Sequence, residues 1–313
     1  MPLPNYAFFR GKVIPYGEAK VGVLTHALNY GTSVFGGMRG YWNDDENQMF
    51  VFRPFDHFRR FLQSTRLMRM ELSYSEDELT NGLIDLLRAE DHHEDVYIRP
   101  LAFYGDEMIG VKLHGLHAEL SIVTIPFGQY IKNQNGAHVT FSSWRRIDDN
   151  MIPARGKIGG AYVNSAFIKS DAELAGFDEA LVLTQEGHVS EGSAANFFIV
   201  RNGVAVTPPV TENILEGITR RTMLTLIRDE IGMDVVERPI DRTEVYLADE
   251  AFFCGTGVQI TAITNVDHRP IGTGKIGAVV SDLRELYDNV VRGKAPKYRS
   301  WCAPVYVNEK VAA

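Results

Sequence analysis

The sequence predicts an α+β protein of two domains, and three observations carry that expectation. Strand-like runs outnumber helical ones and do not alternate with them regularly, which argues against a doubly wound parallel sheet. The 313 residues exceed what one minimal core needs. A polar stretch near the middle, 127–137, shows no apolar periodicity and reads as a linker. It divides an N-terminal domain over 1–126 from a C-terminal domain over 138–313 that carries the chemically most suggestive lysine.

The elements follow in order. A hairpin-like stretch over 6–15 precedes a Gly-rich segment from His26 to Gly40, and then a strand over 49–52. Residues 54–70 read as a helix, with Pro54 in its first turn and Phe58, Phe61, Leu62, Thr65 and Met68 at helical spacing. Ser75 with Glu78 three residues on has capping-box spacing and opens a second helix ahead of Leu79, Leu83, Leu86 and Leu87. Strand-like runs follow at 96–104 and 120–127. Beyond the linker, strands are expected at 139–142, 180–184, 197–200, 235–236 and 251–254. Helices are expected over about 162–175, 217–231 and 274–292, the second stopped by Gly232. The tail from Lys310 is expected to fray.

Composition bounds the function. The chain is 45% hydrophobic with 17 Phe and 13 Tyr, enough for packed cores, and its 23% charged content is ordinary for a globular protein. A net charge of −8 argues against a nucleic-acid partner. No apolar run approaches the length of a bilayer span, and the opening residues show neither a basic n-region nor a long h-region. With only Cys254 and Cys302 there is no disulfide framework and no zinc spacing, which fits a reducing cytoplasm. His92, His93, His114 and His117 lie among acidic residues at polar element ends and predict no metal site.

Two short stretches carry the chemistry. Gly156-Lys157-Ile158-Gly159-Gly160-Ala161-Tyr162 sets a lysine between glycines, where backbone can approach a planar ligand. Ser190-Glu191-Gly192-Ser193-Ala194-Ala195-Asn196-Phe197 puts a carboxylate on a glycine-bracketed turn ahead of an apolar run. An amine able to form a Schiff base and a carboxylate able to hold a pyridinium nitrogen are two requirements of pyridoxal phosphate (PLP) chemistry. Singly, each is an ordinary loop charge; the weight lies in the combination.

A phosphate needs a cup, and two segments offer one. Leu215-Glu216-Gly217-Ile218-Thr219-Arg220 opens a helix, where free N–H groups and the dipole favour an anion. Cys254-Gly255-Thr256-Gly257-Val258 follows a strand and reads either as an N–H nest or as a tight hairpin. Arg60 and Arg99 are the candidate cationic anchors, and Arg99, set within the apolar run Tyr97-Ile98-Arg99-Pro100, is expected to need a carboxylate partner, from the protein or from a substrate.

With Tyr97-Ile98-Arg99-Pro100, Lys157-Ile158-Gly159-Gly160-Ala161-Tyr162, Ser190-Glu191-Gly192, Gly217-Ile218-Thr219-Arg220 and Tyr246-Leu247-Ala248-Asp249-Glu250 in order, the chain resembles the branched-chain amino-acid aminotransferases. The resemblance covers nearly the whole length. It implies PLP fold type IV, the aminotransferase class IV or D-amino-acid aminotransferase-like fold, with two α+β domains, the cofactor between them, and a homodimer or higher homo-oligomer. By this resemblance Lys157 is the catalytic Schiff-base lysine, Glu191 the partner of the pyridine nitrogen, and Tyr162 the partner of the cofactor O3′. Arg60, Ile218, Thr219 and Thr256 hold the phosphate, with Ala194, Leu215 and Gly217 also at the cofactor. Tyr97 with the N–H groups of Thr256 and Gly257 takes the substrate α-carboxylate. Arg99, with Tyr30 from a neighbouring subunit, takes the distal carboxylate of glutamate. Phe35, Gly36, Val111, Phe127 and Tyr130 border the apolar pocket. The implied reaction moves the amino group of leucine, isoleucine or valine to 2-oxoglutarate, without a metal.

Four departures from the family pattern stand out. Gly36 replaces a usual glutamate, Gly257 a usual alanine in a segment ending Val258-Gln259, Phe127 a common tryptophan and Ala195 a common acid. The first two are expected to loosen the pocket, leaving room for (R)-amines as secondary donors. Rival readings are a D-amino-acid or (R)-amine transaminase, an aminodeoxychorismate lyase of the same fold, and a non-enzymatic phosphate-binding scaffold in which Lys157 and Glu191 coincide by chance.

Overall fold

Apolar alternation along Val96–Tyr104 builds the middle of the first sheet: Val96, Ile98, Pro100 and Ala102 are buried, whereas Arg99 is exposed. The computed structural model describes residues 2–128 and 135–306; Tyr130, most of the expected linker and the tail from Lys310 lie outside the described residues. The chain divides into two units, residues 1–128 with 156–160 and 288–313, and residues 129–155 with 161–287.

In the first unit, eight strands form one sheet whose long central pair, Val96–Tyr104 and Ala118–Pro126, runs antiparallel from Val96↔Pro126 to Tyr104↔Ala118. The hairpin Tyr6–Phe9 and Lys12–Pro15 lies at one edge and Cys302–Pro304 at the other. Two helices cover this sheet. Pro54–Leu67 has Pro at its start and buries Phe58 and Phe61. Glu76–Glu90 has the full capping box, Ser75 accepting from the Glu78 amide and the Glu78 carboxylate accepting from the Ser75 amide, and it buries Leu79, Leu83, Leu86 and Leu87.

The second unit is a nine-stranded mixed sheet. Asn196–Arg201, Glu250–Gly255 and Gln259–Val266 are antiparallel neighbours, and Ala137–Arg145 joins parallel to Gln259–Val266. Rings stack between them, Phe198 on Phe252 at 4.9 Å with 7° between planes. The helix expected over 217–231 is α-helical over Ile218–Leu226 and widens into a π-turn over Ile227–Ile231, where Gly232 closes it at φ 71°. The last helix, Ala278–Val291, begins later than expected because the Glu250 carboxylate accepts the Val279 and Val280 amides and so fixes its first turn.

Residues 156–160, expected in a C-terminal domain, group with the first unit, as do residues 288–313. The backbone explains the first regrouping: Phe35 N donates to Lys157 O at 3.0 Å, Gly160 N donates to Gly31 O at 3.0 Å, and Val34 bridges Ile158. Arg99 lies on the exposed face of its strand, and among the described residues no ion pair joins it to a carboxylate, which leaves the expectation of a substrate carboxylate open. The Gly-rich segment hides two strands, Ser33–Phe35 and Met38–Asn43. Gly40 suits the second because a Cβ there would meet Met49 Sδ at 2.7 Å.

Asp267 ties the sheet of the second unit to the helix Arg242–Val245. It accepts from Thr140 Oγ1 (2.8 Å), Phe141 N (3.0 Å), Tyr246 Oη (2.7 Å) and Arg242 (3.0 Å). Burial pushes its acidity one way, but the four donors outweigh it and hold the carboxyl below its usual value. A depressed folded-state pKa stabilises above the unfolded value of about 3.9 and ceases to do so as pH falls through the folded one. Asp267→Asn is therefore expected to cost about 2 kcal/mol or more near neutrality. The gap to wild type should close as pH drops below about 4. Urea unfolding midpoints at pH 7 and pH 3 check this; an equal gap at both would remove the charge from the explanation.

Candidate active site

Each unit gathers its own set of the expected residues. In the first, the segment carrying Lys157 is held by its backbone, through Lys157 O to Phe35 N and through Lys157 N donating to Ser64 Oγ at 3.3 Å. The glycines of this motif serve chain packing. A Cβ on Gly159 would meet Ser33 Oγ at 2.2 Å, and one on Gly31 would meet Gly160 Cα at 2.9 Å.

Lys157 Nζ lies 4.7 Å from the Phe35 ring centroid, and the Arg99 guanidinium lies 4.5 Å from the same centroid. Arg99 also donates to Tyr97 Oη at 3.1 Å. Tyr97 packs against Phe127, ring centroids 5.1 Å apart. Lys157, Phe35, Arg99, Tyr97 and Phe127 thus form one connected cluster. Tyr30 sits apart from these contacts, its hydroxyl accepting from Gly110 N at 3.0 Å and its ring 4.7 Å from His26. Val111, next to Gly110, is 81% exposed. Arg60 is half-buried on the helix Pro54–Leu67. Gly36 leaves less room than its lost side chain implies, since a Cβ there would meet Pro100 Cγ at 2.5 Å.

In the second unit Glu191, 3% exposed, lies in the strand Val189–Gly192. Arg146 reaches its Oε1 at 2.7 Å, while Asn196 Nδ2 (2.9 Å) and Leu215 N (3.2 Å) donate to its Oε2. These three partners are donors, as an ionised carboxylate requires. Gly217 precedes the helix Ile218–Leu226 without a side-chain cap, and Ile218 and Thr219 are buried in its first turn. A Cβ on Gly217 would lie 2.0 Å from Asn196 Oδ1, so this glycine keeps Asn196 on Glu191. Thr256 and Gly257 form the turn between Glu250–Gly255 and Gln259–Val266, paired up to Gly255↔Gln259. The hairpin reading is right, and the nest reading would use the amides of the same turn. Tyr162 opens the helix Tyr162–Leu174, and Ala194 is exposed beside Glu191 in sequence.

Sequence reasoning missed Arg146 and Asn196. Arg146 follows a strand end as half of an Arg-Arg pair, which reads as solvated charge, and nothing local distinguishes it. Asn196 carried a signal: an amide opening an apolar strand needs partners once buried.

A family model for amino-transferase class IV matches residues 33–266. Over 302 residues the chain is 45% identical to a probable branched-chain-amino-acid aminotransferase of Aquifex aeolicus (strain VF5), covering 96% of this chain and 97% of that one. The chain belongs to the class IV aminotransferases, in their branched-chain amino-acid group. Among solved structures, this aminotransferase resembles the branched-chain aminotransferase of Thermoproteus uzoniensis with norvaline, with a TM-score of 0.93, 40% identity, and 97% and 100% of the two chains covered. It also resembles the T.th. branched-chain amino acid aminotransferase complexed with N-(5'-phosphopyridoxyl)-L-glutamate, with a TM-score of 0.91, 39% identity, and 97% and 99% covered. The expected fold type IV architecture stands, and PLP is the cofactor.

The residues fit that cofactor. Taken by itself, the first unit holds a primary amine beside a ring face; the second, by itself, holds a buried carboxylate met by donors and a helix start without a side-chain cap. On the role that the resemblance implies for Glu191, Glu191→Gln should still load PLP but lower turnover by about two orders of magnitude, because a neutral amide cannot keep the ring nitrogen protonated. Single-turnover absorbance with leucine measures this; near-normal rates would reduce Glu191 to a structural residue of its strand.

Proposed function

We propose that this aminotransferase moves the amino group of L-leucine, L-isoleucine and L-valine to 2-oxoglutarate. The observation carrying the reading is the Phe35 ring with Lys157 Nζ on one contact and Arg99 on another. An apolar ring next to a cation can receive an aliphatic side chain in one half-reaction and a distal carboxylate in the other. Norvaline and a glutamate adduct, seen in the two structural relatives, represent the same two substrate classes.

Bound PLP supplies an electrophilic aldehyde carbon and a ring that draws electrons from the substrate Cα. Lys157 Nζ would hold the cofactor and would be the base that moves the substrate Cα proton. The Glu191 carboxylate, oriented by Arg146, Asn196 and Leu215 N, keeps a proton on the ring nitrogen. Tyr162 holds the cofactor hydroxyl. Arg60, Ile218, Thr219 and Thr256 bind the phosphate, with Ala194, Leu215 and Gly217 beside them. Tyr97 with the amides of Thr256 and Gly257 binds the α-carboxylate. Phe35, Gly36, Val111, Phe127 and Tyr130 border the aliphatic side chain.

Arg99 and the partner subunit's Tyr30 receive the distal carboxylate in a homodimer. Exposed Val21, Val23, Leu24, Leu28 and Ile109 support such an assembly. Among the described residues no helix is long and apolar enough to cross a membrane, and two free buried cysteines suit a cytoplasmic enzyme.

A donor panel against 2-oxoglutarate tests the reading, with leucine, isoleucine and valine expected to lead. Preference for D-alanine or (R)-1-phenylethylamine, or pyruvate release from aminodeoxychorismate, would overturn it. Arg99→Ala should separate the half-reactions. Losing a charge-assisted contact worth about 2 kcal/mol should weaken glutamate about thirtyfold while leucine suffers less. Equal losses in single-turnover rates would make Arg99 a structural residue or an α-carboxylate ligand.

A further inference from the structure

Arg39, on the strand Met38–Asn43, is 3% exposed, and among the described residues no carboxylate pairs with it. One Nη donates to the carbonyls of Phe127, at 3.0 Å, and Gly128. Its Nε is buried without a hydrogen-bond partner among the described residues. The charge is met by ring faces, with the guanidinium carbon 5.1 Å from the Phe127 centroid and 5.9 Å from that of Tyr41. Carbonyl dipoles and π faces offset only part of the cost of burying a cation, so a positive field remains on this side of the sheet.

That field has a direction. Arg39 stands opposite Tyr97 in the antiparallel register, so their side chains emerge on one face. The Phe127 ring, clamped by Arg39, packs on Tyr97 at 5.1 Å. The Tyr97 hydroxyl in turn accepts from Arg99, and Gly37 leaves it space, since a Cβ there would come within 2.4 Å of Tyr97 Oη.

We infer that Arg39 is a positioning residue for carboxylate selection: it clamps Phe127 onto Tyr97, fixes the Tyr97 hydroxyl, and leaves an unneutralised positive charge on the face where a donor's α-carboxylate binds. This rests on the role proposed above for Tyr97. It makes the α-carboxylate, more than the aliphatic chain, the group by which Arg39 discriminates among ligands.

Calorimetric titration of wild-type, Arg39→Met and Arg39→Lys holoenzymes tests it with two unreactive probes, 4-methylvaleric acid and the matching alcohol 4-methylpentan-1-ol. Arg39→Met should weaken the acid by about tenfold or more while the alcohol changes by less than about twofold, and Arg39→Lys should recover part of the loss. With leucine, KM should rise by a similar factor while kcat falls less than about threefold. Unchanged acid binding in folded Arg39→Met holoenzyme, or equal losses for acid and alcohol, overturns the inference. Should Arg39→Met fail to fold, a double-mutant cycle of Arg39→Lys with Phe127→Leu decides: non-additive losses in acid binding support the clamp, and additive losses overturn it. Wild-type holoenzyme that binds the acid yet leaves the amino group on leucine would refute the proposed function while leaving the Arg39 comparison readable.

Discussion

The 3.0 Å hydrogen bond from Phe35 N to Lys157 O ties together segments more than a hundred residues apart in sequence, and the amine's position depends on it. Val34 bridges Ile158 beside it, and Gly160 N donates to Gly31 O, so residues 156–160 join the first unit through one isolated bridge and backbone hydrogen bonds. This approach is closer than side chains permit. Gly31, Gly159 and Gly160 supply the clearance, and Gly31 also takes a φ of 66° that other residues disfavour. A flexible lysine tethered at its backbone this way searches a small volume, which is what a covalent attachment point needs.

Four charges show how environment divides labour among like residues. Arg146 is partly buried and neutralised by Glu191, so the pair carries little net field and serves to aim a carboxylate. Arg39 is buried and, among the described residues, is met by carbonyls and ring faces rather than by a carboxylate. Arg99 is exposed and stacked on Phe35 and Tyr97, which is the setting the proposed role as a carboxylate ligand requires. Lys157 shares the Phe35 ring with Arg99, which places an amine and a cation on one apolar surface.

Much of this was legible in the sequence where local chemistry decides. The capping box at Ser75 and Glu78, the Pro54 helix start and the Gly232 stop all depend on neighbours in sequence and occur as read. The family motifs identified the class and its cofactor correctly. What escaped depends on distant partners. Arg99 in an apolar run looked buried, but period-two alternation turns it outward while Ile98 and Pro100 turn in. Gly217 and Gly159 also serve packing that no local pattern shows, since a Cβ there would meet Asn196 Oδ1 at 2.0 Å and Ser33 Oγ at 2.2 Å. Lys157 follows the polar break in sequence but returns to the first unit through backbone pairing that no local pattern announces.

The most direct measurement is the identity of the lysine that carries the cofactor. Borohydride reduction of the holoenzyme, proteolysis and mass spectrometry should find the pyridoxyl group on Lys157 alone. The same group on any other lysine, with Lys157 unmodified, would contradict the central claim.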